Sequence, residues 1–369
     1  MSATYDVLVV GAGVVGLSTA LELGLRGARV HVVDAGHEGG VGSRAAAGVA
    51  IPSLRLFADS VMHDFVDVAR KVLDADVEAF APDAPAIRRG RGVIRPVRDD
   101  EEREQLLHTT RPDPSALGQW VDRDGLCELE PVFRRGPFVG AFRTEAGYVV
   151  DTALYLDSLA AAARRAGATV SFGERVLAVR EGPDAVHVTT SHGAAAADRL
   201  VVAAGAWSGS LPGLPSLAVH PLRGQMVELR DPDIRIDHII SGRTYLCPWR
   251  AGALCTGATE EHAGFADHVT AAGVAFLLSR LVRDFPLLAR ARPVHSWAGL
   301  RSATHDGRLV LGAYPSTTRV FVGTAHGGQG ILTGHHTGLL LADRLDGHDA
   351  AVPAEFAPDR DLSPPPTGT

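Results

Sequence analysis

The sequence is short of cysteine. Cys127, Cys247 and Cys255 are all that its 369 residues hold, and they lack metal-ligand spacing. A disulfide scaffold and a thiolate metal centre are thereby excluded, and a reducing compartment is expected. Long apolar runs are missing too, for none reaches the roughly 20 residues that a membrane span requires. Positive charge is in deficit, with 36 basic against 43 acidic side chains and a net charge of −7. Nothing in that balance draws a phosphate backbone, which argues against a nucleic-acid partner. No basic segment precedes the first apolar strand, so no signal peptide is expected and the reading is cytoplasmic. Serine-histidine-aspartate, P-loop and zinc spacings are absent, as is any internal repeat. What remains is a globular composition, 46% hydrophobic and 21% charged, in a chain long enough for two cores or one large discontinuous one.

The chain opens on "YDVLVVGAGVVGLSTALELGLRGARVHVVDA". Tyr5–Val10 is apolar and β-branched, the pattern of a buried parallel strand. Gly11, Gly13 and Gly16 follow in G-x-G-x-x-G spacing. Val14, Leu17, Leu21 and Leu25 then recur at helical period, Gly27 stops the helix, and Val30–Val33 supplies a second strand that ends at Asp34. Such a unit cradles a dinucleotide. Gly11 makes the tight turn, Gly13 brings bare backbone to the pyrophosphate, and Gly16 lets helix and strand pack closely. The helix N-terminus faces the phosphates, and Asp34 accepts from a ribose. This much leaves NAD and FAD equally open.

Further on, Ala153–Ala166 reads as an amphipathic helix, and Thr169–Phe172, Val176–Arg180 and Val186–Thr190 as short strands. "RLVVAAGAWS" (199–208) is an apolar strand running into a small-residue turn. "PLRGQMVEL" (221–229), "YLCPW" (245–249) and "TGATEEHAGF" (256–265) read as strands of an antiparallel sheet, and Thr270–Phe285 as a helix stopped by Pro286. Near the end, Arg319–Gly323 is a strand, 324–330 a glycine-rich turn, and Ile331–Leu345 a helix. Bare backbone at a helix N-terminus suits a flat or anionic group.

Taken together these segments resemble the glycine oxidase/D-amino acid oxidase family of flavoproteins. Gly42-Ser43 with Ala46-Ala47-Gly48 is similar to its S-x-A-A-A-G segment, and "RLVVAAGAWS" to its second flavin-binding signature. "WAGLRSATHDGRLVLG" (297–312) is similar to its W-A-G-L-R-P-x-T-P-D-G-x-P-x-x-G. The resemblance implies an α/β fold with two domains. A Rossmann-type FAD-binding domain would take 1–85, 140–215 and 296–350, an antiparallel-sheet substrate domain 86–139 and 216–295 (including a strand at 90–97), and a flexible tail 351–369. FAD would be held non-covalently by Gly11, Gly13, Val14, Val15, Gly16, Asp34 and Ala35, and by Gly42, Ser43, Arg44, Ala46, Ala47, Gly48 and Val49. Val176, Ala204, Gly205 and Trp207 would join them, with Arg301 and the final turn of His326, Gly327, Gly328, Gln329, Gly330, Ile331, Leu332 and Thr333.

The same resemblance implies a substrate carboxylate on Arg301 and Tyr245. It implies hydride transfer from the substrate Cα to flavin N5 without an acid–base residue. The family's turn reads G-H-x-R-N-G-I, and its arginine meets that carboxylate. Here the turn is Ala-His-Gly-Gly-Gln-Gly-Ile, with Gly328 in the arginine's place. A lost cation and added room point to an N-substituted glycine, oxidised with O2 to glyoxylate, an amine and H2O2. An ordinary glycine or D-amino acid oxidase, a dehydrogenase with another acceptor, and a non-catalytic flavin-binding subunit stay open. So do the roles of His305 and His326 and the formation of a homo-oligomer. No metal is expected.

Overall fold

A computed structural model of the chain describes residues 4–37, 39–51, 53–54, 56, 59–111, 113–348 and 351–362. Strand β1 (Tyr5–Val10) leads into helix α1 (Val14–Leu25), and strand β2 (Val30–Asp34) returns parallel to β1 with Val7 opposite Val30. Val7, Leu8, Val9 and Val10 are all buried, which is why their run is unbroken by polar residues. Gly27, at φ 86°, sends its N–H back to the Gly24 carbonyl (2.9 Å) and ends α1. The other elements that matter to the site follow in chain order: helix α2 (Ser60–Phe80), helix α3 (Thr152–Arg165), strand β3 (Gly193–Val202), strand β4 (His220–Arg230), strand β5 (Arg292–Ala303), strand β6 (Val320–Thr324) and helix α4 (Gly330–Leu345).

β2, β1, β3 and β6 form a parallel array within an eight-stranded first sheet. One face of it carries Val7 and Val9 against Leu17 of α1, Leu73 of α2, Leu159 of α3 and Leu341 of α4. A second eight-stranded sheet begins at β5 and β4. It continues through Leu254–Gly257, Tyr245–Pro248, Ile239–Ile240, Val93–Val97, Gly140–Thr144 and Gln119–Asp122. Its pairs are antiparallel except that Ile239–Ile240 runs parallel to Val93–Val97. Val49–Ala50, Tyr148–Val150 and Arg88–Arg89 make a small third sheet. The α/β class with two large sheets is thus as the sequence implied. Among the described residues, no helix is long and apolar enough to cross a membrane.

Three expectations change. The strand read at 256–265 stops at Gly257, because the residues after it bend back to pair with Arg223 and Gln225 of β4. Residues 140–144 and 292–303, expected with the first sheet in part or whole, pair in the second, β5 along nearly all of β4. The segment expected as a flexible tail packs down over its described part, 351–362. Phe356 is fully buried edge-on against Phe65, and the Arg360 guanidinium holds Asp306 (2.8 Å). One aromatic side chain anchors a stretch whose prolines suggested none. Residues 363–369 lie outside the described residues.

Four helices meet at a buried polar knot. His335 of α4 holds Asp76 of α2 through Nδ1 (2.6 Å) and Glu22 of α1 through Nε2 (3.1 Å), while the Tyr155 hydroxyl of α3 donates to Asp76 (2.5 Å). Burial alone would lower the His335 pKa, but the two carboxylates outweigh it and raise it to about 9. A raised pKa means that folding holds the proton more tightly than the unfolded chain does. The contribution, on the order of 3 kcal/mol, is full below about pH 6.5 and is lost as pH rises through about 9. Denaturant unfolding between those limits should show the decline. His335→Gln should be less stable at pH 6.5 and flatter across the window; an unchanged slope would place the titration elsewhere.

Candidate active site

A cavity of about 800 Å³ runs between the two sheets. At one end lies the turn after β1. Gly11 has φ 107° and packs so closely on β3 that a Cβ would stand 2.4 Å from the Ala203 carbonyl oxygen. Asp34, at the end of β2, accepts the N–H of Ala12 (2.6 Å) and of Gly36 (2.7 Å), and Ser43 Oγ accepts that of Val14 (3.2 Å). The N-termini of α1 and α4 both open on the cavity, and the residue before each, Gly13 and Gln329, gives no side-chain cap. Each end carries about half a positive charge in its free N–H groups. Gly205 and Gly327, with positive φ and no described atom within 4 Å of a built Cβ, turn bare backbone toward open space.

At the other end stands Arg301 of β5. Its Nη1 donates to the Thr259 carbonyl (3.1 Å), and its guanidinium lies on Gly224 of β4. Gly328 faces it. A Cβ built there would meet Arg301 Nε at 3.9 Å and no other described atom within 4 Å. Ser302 Oγ accepts the Ala325 N–H (3.1 Å), which ties the glycine-rich turn to the strand that carries the arginine. The Tyr245 hydroxyl is buried in the wall without a hydrogen-bond partner among the described residues. Burial, then the nearby Cys247 and Cys255 thiols, push its pKa far up, so it stays a donor. Met226, Ala258, Leu300 and Ile331 give this end an apolar lining.

The cavity gathers most of the residues singled out in the sequence. Gly11, Gly13, Val14, Val15, Asp34 and Ala35 line it, with Gly42, Ser43, Ala46, Ala47, Gly48 and Val49. So do Val176, Ala204, Gly205 and Trp207, and Tyr245, Arg301, His326, Gly327, Gly328, Gly330 and Ile331. Five do not. Gly16 is a packing glycine, since a Cβ would stand 1.9 Å from the Gly11 carbonyl oxygen. Arg44 turns outward to Asp157 (2.7 Å) and lines a separate space of about 190 Å³. Leu332 is buried in the helix core. Thr333 and Gln329 act through His326: the Thr333 hydroxyl donates to the Gln329 carbonyl (2.8 Å) and so accepts from His326 Nδ1 (2.9 Å). That assigns the proton to Nδ1 and leaves Nε2 an acceptor. Burial pushes the His326 pKa down to about 4, so the ring is neutral at pH 7. His305 is exposed outside the cavity, its ring tilted against that of His220 at 4.7 Å. Sequence reasoning missed Gly224 and Gly299, although a glycine inside an alternating strand marks a close approach, and these two stand opposite each other.

Among the described residues no cluster of histidine, cysteine or acid could hold a metal ion. The lining is instead that of a dinucleotide site with an anion-binding pocket attached. A model of FAD-dependent oxidoreductases, the DAO family, matches residues 6–344. The chain is 30% identical over 361 residues to a glycine oxidase of Geobacillus kaustophilus, across 95% of both proteins. The crystal structure of glycine oxidase from that organism superposes with a TM-score of 0.87 at 29% identity, covering 97% of this chain and 99% of that one. Iminodiacetate oxidase from a Chelativorans species superposes with a TM-score of 0.83 at 26% identity, over 95% and 98%. The chain belongs to the DAO family of FAD-dependent oxidoreductases, and FAD is its cofactor. It is an oxidoreductase of glycine oxidase type, acting on amine or amino acid donors.

The residues present fit FAD. Asp34 lines the cavity and, while it braces the glycine turn, keeps lone pairs for a further donor, because a carboxylate offers about four lone-pair directions. Asp34→Ala should weaken FAD retention by roughly 1–3 kcal/mol. Fluorescence titration of the apoprotein with FAD measures this, and an unchanged Kd would remove Asp34 from the cofactor site.

Proposed function

We propose that the protein oxidises N-substituted glycines to the imine, which water hydrolyses to glyoxylate and the released amine, with O2 as the electron acceptor and H2O2 as its product. The open volume over Gly328 carries the reading: the side-chain direction there faces Arg301 and no other described atom within 4 Å. A glycine unit needs one carboxylate anchor, and the planar fork of Arg301 matches a carboxylate bidentately. The protonated Tyr245 hydroxyl supplies a neutral donor in the same wall. An N-substituent then lies among Met226, Ala258 and Ile331, where each buried methylene is worth about 0.8 kcal/mol. Bound FAD supplies the two-electron oxidation of the substrate's Cα–N bond. The chain's own groups bind the carboxylate, orient the amine and exclude water. Iminodiacetate, after which the similar Chelativorans oxidase is named, is itself a glycine substituted on nitrogen.

Two measurements test this. Arg301→Ala should lower kcat/KM at least 100-fold, since truncating a buried charged contact costs roughly 2–5 kcal/mol. Arg301→Lys should also be poor because an ammonium lacks the fork. Near-normal turnover by both would move the carboxylate elsewhere. In the unmodified protein, kcat/KM should be higher for N-alkylglycines with long apolar groups than for glycine or sarcosine, and Gly328→Arg should reverse the order. Equal or better turnover of glycine by the unmodified protein would sink the substrate reading.

A further inference from the structure

Arg301 starts from β5, opposite Leu222 of β4, yet its acceptor lies beyond the far edge of β4. Thr259, whose carbonyl takes the Arg301 Nη1 hydrogen bond (3.1 Å), sits beside Gln225 on the side away from β5. The side chain therefore crosses β4, and it crosses at Gly224. Leu222 and Gly224 point to one face, as residues two apart in a strand do. A Cβ on Gly224 would stand 2.7 Å from Nη1 and Nη2 and 2.8 Å from Cζ, so any side chain there would lift the guanidinium off the strand.

The acceptor is equally fixed. Residues 259–261 are fastened to β4 by Arg223 N–H to the Glu261 carbonyl (2.9 Å), Glu261 N–H to the Arg223 carbonyl (3.0 Å) and Gln225 N–H to Thr259 Oγ1 (2.9 Å). The Glu261 carboxylate gathers Arg223 Nη2 (2.6 Å), Gln225 Nε2 (2.6 Å) and the Thr259 hydroxyl (2.5 Å). Burial opposes its ionisation, but these donors win and hold its pKa at about 2. The bend keeps one shape at any working pH.

Bidentate recognition demands that the guanidinium plane be held to within roughly 10–20°. We propose that Gly224 and Glu261 are positioning residues for the substrate carboxylate. Gly224 is the bare floor on which the Arg301 fork lies, and Glu261 is the hub that aims the Thr259 carbonyl at it. This rests on Arg301 as the anchor. Glu261 lies outside the cavity lining and Gly224 offers no side chain to a substrate, so both act through the arginine.

The test uses holoenzyme and acetate, a carboxylate with no amine to oxidise, with binding read from the shift it causes in flavin absorption. Arg301→Ala should weaken acetate about 100-fold. Gly224→Ala and Glu261→Gln should each weaken it about 10-fold and raise KM more than they lower kcat, while the Kd for FAD stays within about 2-fold of the unmodified protein. If Arg301→Ala binds acetate normally, the anchor assignment falls. If it does not, but the other two variants bind like the unmodified protein, the anchor stands and the positioning role is wrong. Should Gly224→Ala fail to retain FAD, Glu261→Gln, which keeps the shape of the side chain, decides alone. Loss of thermal stability and FAD affinity without a selective loss of acetate would also overturn the proposal.

Discussion

Ala12 gives its backbone N–H to Asp34 at 2.6 Å, and the same carboxylate takes that of Gly36 at 2.7 Å. These bonds join the end of β2 to the turn after β1, the two places where parallel strands would otherwise leave peptide groups unpaired. With the turn fixed, α1 can begin at the cavity rim, and β1 can press against β3 closely enough that only glycine is tolerated at position 11. The short helix Val41–Ala45 closes on α1 through Ser43 Oγ and the Val14 N–H. The cofactor end is thus backbone geometry braced by two side chains, and little of its shape depends on flexible groups.

The first 34 residues were legible because every constraint on them is local: burial on both faces, a glycine where φ must be positive, and an acid at fixed spacing. Arg301 was read only through resemblance to a family, which also named Tyr245 and Gly328 beside it, while the strand it lies across and the carbonyl it holds were not legible. Gly224 reaches it from a strand and Thr259 from the bend after another, 77 and 42 positions away, and no period in the sequence records such a meeting. Gln329 and Thr333 were read as flavin contacts because one lies in the glycine turn and the other just after it. In α4 the Thr333 hydroxyl instead bonds back one turn to Gln329 and sets the His326 tautomer. Phe356 shows the opposite error: a proline-rich stretch looked unanchored, and a single aromatic ring buried among helices holds it.

α1 and α4 serve the cavity with their first turns and are locked to each other further down. Their contact is among the most extensive in the molecule, and Glu22 and His335 pair across it. Since helices are stiff over a few turns, the spacing of the two N-termini at the cavity is set by packing and charge two turns below. Cofactor geometry is therefore coupled to the interior of the helical layer, through side chains that lie outside the cavity lining.

The floor and the ceiling of the substrate pocket come from different sheets and carry different freedoms. Gly224 and Gly299 leave no space for a side chain, because the arginine fork occupies one site and Ala45 the other. A Cβ on Gly328 would meet only Arg301, at 3.9 Å. Sequence drift at Gly224 would weaken carboxylate recognition for every substrate alike, whereas drift at the ceiling changes only what hangs from the nitrogen. A lineage built on this pocket can diversify its substrates through one position without renegotiating how they are grasped.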